Sequence, residues 1–206
     1  MRLFYINKFG IKDDIKSHIR DNRRMYILGV ILLLVCTFFG IRAGITALNP
    51  YTALSHYNMN YYNLVNLIGR DRYVFGFILS HLLSLFFIYL CCQHYFATPL
   101  CMIVVIQKIF NFAVTITLIF RIFNFGATLV ALLSLIPFFI IITTLLFNFC
   151  VYMYRISQHC YRYGHSSFVL FYFRDMYARL FIYIIILILL STIGGGLTVL
   201  LTSSII

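Results

Sequence analysis

The chain has 206 residues, of which 63% are hydrophobic and 10% charged, and its mean hydropathy is +0.96. A soluble domain of this size has no core large enough to hide so much apolar side chain, so the composition points to an all-α integral membrane protein. The formal charge of +11 is spread over separate membrane-flanking segments and not gathered on one groove-sized face. That distribution fits anionic lipid head groups as partners and argues against nucleic acid.

Residues 1–25 carry Arg2, Lys8, Lys12, Lys16, Arg20, Arg23 and Arg24, with Ile11, Ile15 and Ile19 at four-residue spacing between them. The pattern predicts a short amphipathic helix lying on the membrane surface. By the positive-inside rule this arm, and with it the N-terminus, is cytoplasmic. The first apolar stretch, 26–48, is long and has no small-x-small cleavage site after it, so it is expected to be a retained anchor, not a signal peptide.

A helix needs about 20 mostly apolar residues to cross the hydrocarbon. Stretches 26–48, 73–92, 125–152 and 179–201 meet that length plainly, and 99–120 makes a fifth, less regular one. The expected architecture is therefore a polytopic helix bundle of about five crossings, with residues 26–206 forming a single transmembrane domain after the arm.

Five crossings from a cytoplasmic start put loop 49–72 outside, a turn at 93–96 inside, a turn at 121–124 outside and segment 153–178 inside. The loop 49–72 is rich in Asn and Tyr, and Tyr57, Tyr61 and Tyr62 suit either the head-group layer or a partner's surface. Segment 151–180 interleaves tyrosines with Arg155, Arg162, Arg174 and Arg179, which predicts a membrane-surface hairpin turning near Gly164.

The search for chemistry is mostly negative. No G-x-S-x-G, H-E-x-x-H or Walker A pattern occurs. The acids, Asp13, Asp14, Asp21, Asp71 and Asp175, all fall outside the expected crossings, which leaves no intramembrane carboxylate for proton relay or cation coupling. Cys91, Cys92, His94, His159, Cys160 and His165 share one expected compartment, yet their spacing matches no zinc finger or ribbon, and no metal or cofactor is expected. The other cysteines sit in apolar stretches as small hydrophobes, so no disulfide framework is implied. His81 lies between Ser80 and Ser84. Adjacent helical residues point about 100° apart, so Ser80 and His81 make no dyad, whereas Ser84 is within reach of His81 as a polar contact inside a bundle.

The residue pair Gln107-Lys108 stands out. A Lys inside the membrane costs roughly 3 kcal/mol on insertion scales, so it faces a bundle interior, snorkels to the interface or sits at a helix end. Lys108 is the first functional candidate, with Gln107 and Asn111 beside it.

Several stretches in order resemble the stage II sporulation protein M family. The entry HIRDNRRMYILGVILLLVCTFFGIRAG is similar to that family's basic helix running into a first crossing with spaced glycines, here Gly29, Gly40 and Gly44. The middle resembles its most characteristic part: an apolar run broken by Lys108, a turn with Phe125-Gly126, then A-L-L-S-L-I-P ending at Pro137. The ending FRDMYARLFIYIIILILLSTIGGGLTVLLT is similar to the family's last helix. The chain departs from the family pattern at Ile109, at Phe138-Phe139 and at Gly194 to Gly196, where relatives tend to carry Gly, a polar or Pro-type patch, and an acid.

The resemblance implies a non-enzymatic scaffold of the engulfment machinery at the cell membrane, holding a lytic transglycosylase and an amidase. The alternative is a transport protein or permease subunit of an exporter, with Lys108, Gln107, Asn111 and Asn148 lining a path.

Overall fold

A computed structural model describes residues 20, 22–58, 70–91, 98–123, 125–163 and 168–203, and among them there are six helices and no strand. In chain order these are α1 (Arg23–Thr46), α2 (Pro50–Tyr57), α3 (Arg70–Cys91), α4 (Thr98–Ile122), α5 (Phe125–Tyr163) and α6 (Phe168–Ser203). All but α2 are long and apolar enough to cross a membrane. The amphipathic arm expected over 1–25, the turn at 93–96 and the turn at Gly164 lie wholly or largely outside the described residues.

Helix contacts fix the directions. Gly40 and Gly44 of α1 lie against Ala113 and Thr117 of α4, so these two helices run parallel. Cys101 meets Cys150 and Phe112 stacks on Phe139, which makes α4 and α5 antiparallel. Phe138 lies on Gly194 and Phe149 on Tyr183, so α6 is antiparallel to α5. Tyr89 against Tyr177 and Val74 against Gly195 pair α3 with α6 in the same sense. The end of the bundle at which α1 begins is called the near end below, and the opposite one the far end.

The α1–α4 seam follows from sequence. Lipid tails are as apolar as leucine, so crossings associate by close packing, which small residues permit. Cys36, Gly40 and Gly44 are the buried residues of α1 and recur one turn apart. A Cβ built on Gly40 would stand 2.7 Å from Ala113 Cβ and 2.8 Å from the Phe110 carbonyl oxygen. Only glycine allows that approach.

Two apolar clusters fill the interior. The near half packs Ile88, Val105, Ile142, Leu146, Phe149 and Leu187 together; the far half packs Leu54, Tyr73, Val114, Leu118, Ile119 and Leu135.

The third crossing, irregular in sequence, is continuous: α4 runs through Lys108 without interruption, and α5 likewise runs through Pro137. Segment 151–180 is helical on both sides of Gly164, as α5 extends to Tyr163 and α6 starts at Phe168. One expectation changes: loop 49–72 is not loop throughout. Asn49 accepts from the Tyr51 and Thr52 amides with Pro50 in the first turn, a strong helix start, and α2 follows.

Helix α2 turns back into the bundle. Ala47, just before it, is held at the far end by Arg121 of α4. Leu54 is fully buried among Val114, Leu118 and Ile119. Tyr57 then meets the Phe110 ring at 5.9 Å, and Asn58 donates to Thr115 Oγ1 at 3.5 Å. From Arg121 to Thr115 is roughly 9 Å along α4, so α2 descends that far from the far end.

Candidate functional site

The site is built where α3 and α4 cross. Lys108 Nζ donates to the carbonyl oxygen of Ser80 at 3.1 Å and to Ser80 Oγ at 2.5 Å. Lys108 lies roughly 15 Å along α4 from Thr98, and Ser80 roughly 15 Å along α3 from Arg70, so the contact is near the middle of both crossings. Lys108 is therefore held inside the bundle by two neutral oxygens; its head group does not snorkel.

Ser84 Oγ donates to the same Ser80 carbonyl at 2.7 Å. This corrects the expectation of a Ser84–His81 contact: a helical serine bonds back to the carbonyl four residues earlier, and that is the route Ser84 takes. His81 is 5% exposed, and neither ring nitrogen has a hydrogen-bond partner. Its ring stands edge-on to Phe77 at 4.6 Å. The Lys108 charge acts on His81 electrostatically.

Ser191 of α6 is fully buried and its Oγ is also without a partner. Gly195, one turn further on, packs against Val74. The antiparallel pairing of α3 and α6 then sets Ser191 at the level of Phe77 and Ile78, offset from His81 by about one turn, roughly 5 Å, along the bundle axis.

The candidate residues divide as helix geometry dictates. Lys108, Asn111 and Thr115, at i, i+3 and i+7, share one face of α4. Thr115 Oγ1 donates to the Asn111 carbonyl at 2.7 Å and accepts from Asn58. A polar stripe thus runs from mid-bundle toward the end of α2. Gln107, about 100° round the helix from Lys108, is exposed and is not part of it. Asn148 is engaged elsewhere, with Tyr26 donating to its Oδ1 at 2.6 Å. Pro137 is exposed on the outer surface of α5, and Tyr57 lies at the end of α2, 37% exposed. Tyr61 and Tyr62 lie outside the described residues.

No family model, curated protein or solved structure matches this chain.

Chemistry at the site is limited by its inventory. All five acids lie outside the five spans, so no carboxylate within them neutralises Lys108. Among the described residues no group of three His, Cys, Asp or Glu side chains could hold a metal ion. Of the cysteine–histidine set considered from sequence, only the Cys91 side chain is described, and it packs in the near-half core. The sequence reading missed α2, Ser191 and the Lys108–Ser80 bond. The Asn49-Pro50 pair was the available signal for the first; a crossing point between helices leaves no local signal for the others.

Proposed function

We propose that this chain is a non-enzymatic membrane scaffold that gathers peptidoglycan-remodelling enzymes at the cell membrane during spore engulfment. The observation that carries the reading is the ordered far end: Arg121 ties the end of α1 to α4, and α2 is folded down on α4 through Leu54. Tyr51 and Tyr57 remain exposed on α2. Aromatic side chains held on a fixed element bind partners at low entropic cost.

The basic arm sets the N-terminus in the cytoplasm and the far end outside, where wall enzymes act. The ordered resemblance to the stage II sporulation protein M family supplies the partner class, a lytic transglycosylase and an amidase. The basic flanks supply contact with anionic lipid.

One observation favours transport instead. A helix that turns back into the membrane and ends on a polar stripe, Asn58, Thr115, Asn111 and Lys108, is the arrangement expected of a solute path. The two readings separate on purified protein. A scaffold releases no muropeptides from isolated sacculi and passes no solute through proteoliposomes. Muropeptide release by the chain alone would overturn the non-enzymatic reading, and saturable flux abolished by Lys108→Leu would establish the path.

A further inference from the structure

We propose that Lys108, His81 and Ser191 form a binding site for one small inorganic anion of halide size in the middle of the bundle. The proposal does not depend on what the chain recruits.

The first observation is a charge without a counter-charge. Both Lys108 bonds go to neutral oxygens of Ser80, and an ammonium has three donors. No carboxylate lies in any of the five spans. An ammonium inside a bundle without an anion is costly, because low dielectric penalises an isolated charge far more than a paired one.

The second is independent of the lysine. His81 is 5% exposed with both ring nitrogens unpartnered, and Ser191 Oγ is fully buried and unpartnered. A neutral imidazole carries one N–H donor and a serine one O–H donor. Buried donors without acceptors are rare, because each forfeits its hydration. Two idle donors and an ammonium, at levels of the bundle that differ by about one helical turn, lack an acceptor, and the ammonium also lacks a negative charge. Water supplies the acceptor without the charge. An anion supplies both.

Depth sets its source. Ser84, Leu85, Leu187 and Ser191 are all buried, and His81 lies roughly 15 Å along α3 from each end of that helix. A phosphate tethered to a lipid stays at the surface, so the occupant is free in solution. The stripe of Asn111 and Thr115, met by Asn58, gives it a polar approach from the far end.

The test uses the full chain in phosphatidylcholine nanodiscs. Unfolding is followed with a thiol-reactive dye, which reports on the buried thiols of Cys36, Cys91, Cys101 and Cys150. Potassium chloride should raise the unfolding midpoint in a saturable way relative to potassium gluconate at equal ionic strength, and radiolabelled chloride should bind at a stoichiometry near one. Lys108→Gln and His81→Phe should each weaken chloride binding at least tenfold, whereas Gln107→Ala should leave it unchanged. Wild-type protein with identical midpoints in the two salts and no saturable chloride binding would overturn the site even where a variant fails to fold. Equal binding by wild type and both site variants would overturn it as well. Hydrolase recruitment is measured separately, so failure of one proposal is distinguishable from failure of the other.

Discussion

Arg121 of α4 caps the end of α1: its Nη1 donates to the Gly44 carbonyl oxygen at 2.9 Å and to the Ala47 carbonyl oxygen at 2.7 Å. A cation at a helix C-terminus meets the negative end of the macrodipole and carbonyls that have no intrahelical donor. Arg121→Ala should lower the stability of the purified protein by about 1–2 kcal/mol, the lower range for hydrogen bonds to a charged group because the site is exposed. Arg121→Lys should recover part of it. Denaturation followed by circular dichroism measures both, and an unchanged Ala variant would show the cap to be idle.

The glycine seam predicts a contrast between two alanine substitutions. Gly40→Ala puts a methyl against Ala113 and the backbone oxygen of Phe110, and should cost about 1–3 kcal/mol through forced separation of α1 and α4. Nothing lies within 4 Å of a Cβ at Gly196, so Gly196→Ala should be neutral or stabilise by up to about 1 kcal/mol. The same dye assay ranks the pair, and equal effects would contradict the packing.

How much of this was legible in the sequence depends on the range of the interaction. The five crossings follow from apolar length alone, and Lys108 stood out because a charge within hydrocarbon is conspicuous. Gln107 was grouped with Lys108, and the structure separates them, since neighbouring helical residues face different ways. The partner of Lys108 was not, because Ser80 is distant in sequence and no periodicity links two crossing helices. Helix α2 was lost among tyrosines and asparagines that look like loop, although Asn49-Pro50 marks its start. His81 was assigned Ser84 on spacing alone, whereas that hydroxyl donates to the backbone carbonyl of Ser80.

The descent of α2 rests on Leu54. Leu54→Ala removes a fully buried side chain from the cluster with Val114, Leu118 and Ile119 and should cost about 2–5 kcal/mol. Tyr51→Ala, at a position 49% exposed, should change stability by no more than about 0.5 kcal/mol. A Leu54→Ala variant as stable as wild type would mean that α2 is not seated on α4.

Cys101 and Cys150 are buried and not joined by a disulfide, with their sulfurs 2.7 Å apart across α4 and α5. A membrane-permeant diamide should take two electrons and two protons from the pair and leave a disulfide joining the two helices. Peptide mapping without reduction should find the Cys101–Cys150 link, and Cys36 should remain alkylatable after denaturation. Cross-linking of Cys36 in place of Cys150 would contradict the antiparallel register of α4 and α5.

The scaffold reading is tested most directly by measuring peptidoglycan-cleaving activity recovered with the chain from its native membranes. Wild-type protein should bring down muropeptide-releasing activity, and the combined Tyr57→Ser, Tyr61→Ser and Tyr62→Ser variant should recover severalfold less while inserting normally. Absence of that activity from wild-type preparations, with solute flux in proteoliposomes made from the same protein, would contradict the account.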